Sequence, residues 1–171
     1  MAVPKKNRLA SAVYFLFPDA SVKSNHMTIA AECFFETFAA TTLMTVFSYA
    51  ASASFRKLFV EPLLINYVVQ RSKIKIKPTL TSFFGWIMHY IAGLLFIIPY
   101  HWLWNRDIAQ TWLGALLLGA ISGIVGVLVW MLLFRLPRKE PNVAFKEYYF
   151  QLWVAHVIFA TSAFGTHSII R

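Results

Sequence analysis

Apolar side chains fill four long stretches of this chain, at residues 27–51, 83–104, 108–134 and 148–166. An α-helix rises about 1.5 Å per residue and the hydrocarbon core of a bilayer is about 30 Å thick, so a spanning helix needs about 20 such residues. All four stretches are close to that length, and they carry few ionisable groups away from their ends. The pattern therefore predicts an all-α membrane protein, folded as a four-helix transmembrane bundle.

The connection between the first two stretches has a pattern of its own. Residues 58–69 are too few to span a bilayer, and their mixture of apolar and polar side chains favours an amphipathic helix at the membrane interface. Lys73, Lys75 and Lys77 follow, separated by isoleucines, and we expect these cations to contact anionic lipid headgroups.

The chain divides into two parts on the same grounds. Residues 1–26 begin with basic side chains, continue with aromatic ones, and predict a retained N-terminal interfacial segment. Residues 27–171 then form a single four-span transmembrane domain.

Composition supports the membrane class and narrows the partners. The chain is 58% hydrophobic and only 13% charged, whereas a soluble domain carries roughly a quarter charged residues. The net charge of +9 comes from Lys and Arg in the segments between the apolar stretches. Lipid headgroups and topology account for cations in such positions, so we expect membrane lipids as partners and no nucleic acid. Cys33 is the single cysteine, which excludes an intramolecular disulfide.

The distribution of cations also predicts which side of the membrane each loop faces. Ten Lys and Arg residues lie in the loops at residues 52–82 and 135–147, and six lie on the opposite side. Because cytoplasmic loops are enriched in Lys and Arg, we expect these two loops to be cytoplasmic and both termini to be outside.

Small residues recur at helical spacing and predict where helices pack closely. The glycines that share helix faces in this way are Gly85, Gly93, Gly119, Gly123 and Gly126. Glycine faces let two helix backbones approach each other inside a membrane. The partner of such a face is either another helix of the same bundle, a second copy of the chain or another membrane protein.

Ionisable side chains inside the apolar stretches are the main candidates for function, because charge within a bilayer is costly. Helical phase and depth divide them into two groups. His89 and His156 form a predicted interior pair at similar height in the inner half of the bundle. The predicted outer-half cluster comprises Glu32, Glu36, His26, His101 and His167.

Two hypotheses for these groups involve no cofactor. In the first, His89 and His156 donate hydrogen bonds across the bundle and fix the register of the second and fourth spans, as expected of a structural or interaction component of a membrane. In the second, Glu32, Glu36, His89 and His156 form a line of titratable groups in a small transporter or proton relay.

A third hypothesis is a haem or divalent-metal site, because imidazole and carboxylate groups suit zinc, iron or manganese. The separation of His89 and His101 is twelve residues and that of His156 and His167 is eleven, which departs from the spacing of dihaem membrane cytochromes. No cofactor is predicted on this basis. The chain also lacks the sequence motifs HExxH, GxSxG and CxxC and a glycine-rich phosphate loop, so no enzymatic activity is supported.

Several short motifs follow one another along the chain. They are Glu61-Pro62-Leu63-Leu64, Trp86-x-x-His89-x-x-x-Gly93, Tyr100-His101-x-x-Trp104, Gly119-x-x-x-Gly123-x-x-Gly126-x-x-x-Trp130, and Gln151 with His156. Their order resembles small four-span bacterial inner-membrane proteins with no assigned activity, over most of residues 27–165. The resemblance implies a compact bundle in a bacterial inner membrane and supplies no substrate, cofactor or catalytic residue. We therefore expect a structural or interaction component, with transport or proton relay as the alternative.

Overall fold

The computed structural model describes residues 28–137 and 143–171, and these residues contain five α-helices. They are α1 (Ile29–Phe55), α2 (Glu61–Arg71), α3 (Phe83–Trp104), α4 (Trp112–Leu133) and α5 (Phe145–Ile170). No strand occurs within the described ranges. Four of these helices, all except α2, are long and apolar enough to cross a membrane. This confirms the predicted all-helical integral membrane protein with four helices of spanning length.

Side-chain caps fix where three of the helices begin. Thr28, Ser82 and Thr111 each accept a hydrogen bond from a backbone N–H in the first turn of α1, α3 and α4, respectively.

The third apolar stretch starts earlier in the sequence than α4 does in the structure. Asp107 and Ala109 have φ angles of 57° and 58°, and these positive values interrupt a right-handed helix. The turn between α3 and α4 therefore uses apolar residues that the sequence pattern assigns to a span.

Helix α5 packs against α4 and α1, and α3 packs against α1 and α2, so the main contacts run in the order α4, α5, α1, α3, α2. The approach of α4 to α5 depends on glycine. A Cβ atom at Gly119 would lie 2.7 Å from Cα of Val157, and one at Gly126 would overlap the imidazole of His156. The glycine face of α4 therefore packs against a helix of its own chain.

The glycines of α3 also mark close approaches. A Cβ atom at Gly85 would overlap the carbonyl oxygen of Pro62 in α2, and one at Gly93 would overlap the hydroxyl of Thr41 in α1. Larger side chains at these two positions would push α3 away from both neighbours.

One side of α2 is anchored in the bundle. Its buried side chains are those of Glu61, Pro62, Leu64, Asn66 and Val68. The Asn66 amide nitrogen donates to the carbonyls of Leu80 at 3.0 Å and Ser82 at 2.7 Å, which holds α2 beside the start of α3. The location of α2 at the membrane interface stays a prediction. The N-terminal interfacial segment predicted at residues 1–26 lies outside the described residues.

The two ends of the bundle are named after the orientation predicted from charge, which itself stays a prediction. The outer end comprises the start of α1, the connection between α3 and α4, and the end of α5. The inner end comprises the end of α1, the connection from α2 to α3, the end of α4 and the start of α5.

Candidate functional site

Two glutamates and two histidines from α1, α3 and α5 meet at the outer end. Glu36 is fully buried, and its carboxylate oxygens lie 2.7 Å from Nδ1 of His167 and 3.2 Å from Nδ1 of His101. The Nε2 atom of His101 lies 3.5 Å from the Glu32 carboxylate, which Nη2 of Arg171 approaches to 3.2 Å. We call these five residues the outer cluster.

The formal charges of the outer cluster balance only with one more cation. Glu32 and Glu36 contribute two negative charges, and Arg171 contributes one positive charge. A buried carboxylate without compensation is costly. A proton on an imidazole that contacts Glu36 would neutralise the cluster, and so would a metal cation.

The histidines of the outer cluster have donor atoms available for such a cation. Both contact Glu36 through Nδ1, which fits the tautomer in which Nδ1–H donates to the carboxylate. The Nε2 atoms of His101 and His167 are buried without a hydrogen-bond partner within the described residues. Imidazoles oriented by a carboxylate in this way are common around metals. The Cys33 sulfur, a Glu36 oxygen and a His101 nitrogen all lie within 4.8 Å of one another, so these three residues could hold a metal ion.

From the outer cluster, buried polar side chains continue along one face of α1 towards the inner end. We call this series the polar face of α1, and it consists of Glu32, Glu36, Thr37, Thr41, Thr45 and Ser48. Apart from the adjacent pair Glu36 and Thr37, successive members are three or four residues apart, which keeps these side chains on one side of the helix. The hydroxyls of Thr37 and Thr41 have no hydrogen-bond partner among the described residues.

A cavity of about 120 Å³ lies beside the middle of the polar face. Apolar and aromatic side chains form most of its wall, and the polar groups that line it belong to Thr41, Glu61, His89 and His156. The cavity therefore connects the polar face of α1 with ionisable groups of α2, α3 and α5.

Although the predicted interior pair lines this cavity, its two histidines bond to other partners. The Nε2 atom of His89 lies 3.0 Å from the Thr45 hydroxyl. Since that hydroxyl donates its proton to the carbonyl of Thr41 at 2.7 Å, His89 is the donor. His156 donates from Nδ1 to the carbonyl of Leu152 in its own helix, at 2.8 Å. The expectation that both imidazoles link the second and fourth spans is therefore wrong, because His89 bonds to α1 and His156 bonds within α5.

Glu61, a buried carboxyl in α2, is a site residue that the sequence did not single out. The Ser48 hydroxyl lies 2.8 Å from Oε1 of Glu61, and the Gln151 amide donates to Ser48 at 2.8 Å. The Oε2 atom of Glu61 is buried and has no partner within the described ranges. Burial in this apolar setting raises the pKa of Glu61 from 4.5 to about 7. The only signal in the sequence is a single acid within the apolar run of residues 58–69.

The outer-half residues that were singled out from the sequence lie together where the structure describes them. Glu32, Glu36, His101 and His167 are in direct contact, and His26 lies outside the described residues. Arg171 had no signal in the sequence, because it lies beyond the fourth apolar stretch. Whether these groups bind a ligand stays a prediction.

Comparisons with protein-family models, with curated proteins and with solved structures found no match to this chain. The fold therefore defines the class, which is an integral membrane protein with an ionisable bundle interior. The bacterial inner membrane implied by the sequence resemblance stays a prediction.

Proposed function

We propose that the protein relays protons through the membrane along the polar face of α1. The observation that supports this function is the presence of buried polar side chains on successive turns from Glu32 to Ser48. Sixteen residues of helix correspond to about 24 Å, which is most of the about 30 Å of the hydrocarbon core. Polar groups inside a bilayer are costly and commonly line ion or proton pathways.

Groups that can carry a proton lie at both ends of this route. At the outer end, the imidazoles of His101 and His167 contact the carboxylate of Glu36, and an imidazole can donate from one ring nitrogen and accept at the other. Towards the inner end, Ser48 of the polar face contacts Glu61. With a pKa of about 7, the Glu61 carboxyl can both accept and release a proton near neutrality.

The cavity supplies the middle of the route. Its volume of about 120 Å³ corresponds to about four water molecules at about 30 Å³ each. Water in the cavity would bond to the hydroxyl of Thr41 and to the imidazoles of His89 and His156. These bonds would connect the polar face of α1 to Glu61.

Proton uptake into liposomes tests the relay. Purified protein is reconstituted with a pH-sensitive dye inside the vesicles, and a potassium diffusion potential drives protons inward. We expect uptake faster than in protein-free liposomes. Glu61→Gln should return uptake to the protein-free rate, because an amide keeps the shape of the carboxyl but does not titrate, and Glu36→Gln should do the same.

Glu147→Gln is the matched control, because Glu147 lies exposed at the inner end, paired with Lys57 at 3.3 Å, and does not line the cavity. It should keep the parent rate. A parent that moves no protons would refute the relay and favour the role of a structural or interaction component. A folded Glu61→Gln variant with the parent rate would remove Glu61 from the route.

A second candidate function is binding of a divalent metal at the outer end. The observation that favours it is the grouping of Cys33, Glu36 and His101 within 4.8 Å. A thiolate, a carboxylate and an imidazole together suit zinc or iron. A haem between His89 and His156 is not favoured, because their cavity of about 120 Å³ is smaller than the about 300 Å³ at which small-molecule pockets begin.

Cobalt substitution separates the metal site from the relay. If the site binds metal, Co²⁺ added to the protein should produce thiolate-to-cobalt charge-transfer absorption, and Cys33→Ser should abolish that band. Since the relay does not use Cys33, the same variant should keep the parent rate of proton uptake. Absence of the band in the parent, together with no metal in elemental analysis of the purified protein, would remove this candidate.

A further inference from the structure

The last residue of α2 and the connection that follows it concentrate positive charge at the inner end. We call residues 71–77 the basic loop, and its cations are Arg71, Lys73, Lys75 and Lys77. The sequence contains no Asp or Glu between residues 62 and 106, so no acidic residue near it in the chain offsets this charge. Among the ion pairs of the described residues, none involves a cation of the basic loop.

Local contacts give the basic loop a defined shape. The Lys77 ammonium folds back and donates to the carbonyls of Ser72 at 2.7 Å and Gln70 at 3.1 Å, which satisfies carbonyls at the end of α2. The Arg71 guanidinium lies over the ring of Tyr67, 5.8 Å from its centroid. Between these contacts the loop borders an open surface pocket of about 450 Å³, lined by residues 70–75 and by Lys77.

The position of the basic loop fits the headgroup layer of a membrane. The bonds from Asn66 to the carbonyls of Leu80 and Ser82 hold the middle of α2 beside the point where α3 begins its apolar span. Ile74 and Ile76 are 47% and 55% exposed and alternate with the lysines. Apolar side chains between cations suit a surface where acyl chains and phosphates meet.

We propose that the pocket of the basic loop binds the phosphate headgroup of an anionic phospholipid. Arg71, Lys73 and Lys75 supply the positive charge that the phosphate requires, and the isoleucines contact the acyl region beneath it. The exposed isoleucines and the adjacent span favour a lipid over a soluble anion. The proposal does not depend on the relay of protons.

Native mass spectrometry of the full chain in detergent micelles tests the proposal. Phosphatidylglycerol or phosphatidylcholine is titrated into the sample, and the lipid-bound fraction is measured. We expect the parent to bind phosphatidylglycerol more tightly than phosphatidylcholine. Lys73→Gln combined with Lys75→Gln should weaken phosphatidylglycerol binding by about twenty-five-fold, since each cation near a membrane surface contributes about a factor of five.

Arg56→Gln combined with Arg135→Gln is the matched control, because both arginines are exposed at the inner end and neither lines the pocket. It removes the same charge and should leave phosphatidylglycerol binding within about twofold of the parent, against the loss of about a factor of five expected for each cation at the site. Equal binding of the two lipids by the parent, or an equal loss in the two double variants, would overturn the proposal. Displacement of phosphatidylglycerol by an equal concentration of inorganic phosphate would show a soluble-anion site instead and would also overturn it.

Discussion

Replacing Glu61 by glutamine measures the effect of one buried carboxyl on stability. The pKa of Glu61 is raised from 4.5 to about 7 in the folded protein, mainly because burial disfavours the charged form. At about 1.4 kcal/mol per pH unit, this difference corresponds to about 3 kcal/mol. Glutamine has nearly the same shape, and its carbonyl oxygen can accept the bond that the Ser48 hydroxyl now donates to Glu61.

The pH dependence follows from which state binds the proton. Between pH 4.5 and about 7 the folded protein keeps the proton on Glu61 and the unfolded chain releases it, so stability decreases as pH rises through this window. Below pH 4.5 both states are protonated, and above about 7 the loss is complete. Glu61→Gln should therefore resemble the parent at pH 4.5 and exceed its stability at pH 8 by up to about 3 kcal/mol.

Thermal unfolding in detergent micelles, followed by tryptophan fluorescence at pH 4.5 and pH 8, provides the measurement. The difference between Glu61→Gln and the parent isolates this carboxyl, because every other titrating group is shared. Glu147→Gln controls for a general effect of removing one acid, since Glu147 is exposed. A difference between Glu61→Gln and the parent that is the same at both pH values would refute the reasoning.

Three further substitutions test the packing, the α2–α3 connection and the outer cluster by thermal unfolding. Gly119→Ala should cost about 1–3 kcal/mol, because the new Cβ would lie 2.7 Å from the backbone of α5. Gly165→Ala, whose Cβ would meet nothing closer than 3.5 Å, should raise the free energy of unfolding by up to about 1 kcal/mol. A Gly119→Ala variant more stable than Gly165→Ala would contradict the packing of α4 against α5. Asn66→Ala should lower the free energy of unfolding by about 2 kcal/mol, because it removes two hydrogen bonds. It should also speed proteolysis of the basic loop. Unchanged cleavage would show that other contacts hold the loop. Glu36→Gln should lower the free energy of unfolding by about 2–3 kcal/mol, because an amide oxygen accepts more weakly than a carboxylate from His101 and His167. Lys57→Gln, in an exposed pair, should lower it by much less. Equal losses would mean that the outer cluster is not held by its bonds to Glu36.

The spans could be predicted from the sequence because lipid imposes both a length and a composition. The bounds of α3 coincide with the second apolar stretch, since Ser82 caps its start and Asn105 begins a polar turn at its end. The start of α4 differs because the turn at Asp107 and Ala109 depends on backbone angles, and apolar residues in that turn resemble the span that follows. Hydropathy alone cannot distinguish these cases.

Site residues on the spans could be placed by helical phase, but their partners could not. The outer-half grouping of Glu36 with His101 and His167 follows from depth along straight helices. The burial of Glu61 does not follow from depth along straight helices. It depends on how α2 packs against Ser48 and Gln151, two residues that are 103 positions apart. The threonines of α1 show the limit of hydropathy more directly. Their hydropathy is close to neutral and so does not mark them as site residues, although they line a polar face.

The contact between Glu36 and His167 has a consequence for biogenesis. These residues are 131 positions apart, and synthesis at about 5–20 residues per second separates them by on the order of ten seconds. During that interval α1 has left the ribosome, but α5 has not yet been synthesised. The glutamates of α1 therefore lack their contacts with His167 and Arg171. Until α5 arrives, His101 of α3 is the partner from the outer cluster that both carboxylates can contact. The first span thus completes its set of polar contacts only when the last helix arrives, so a chain truncated before α5 should be degraded faster by quality-control proteases than the full chain.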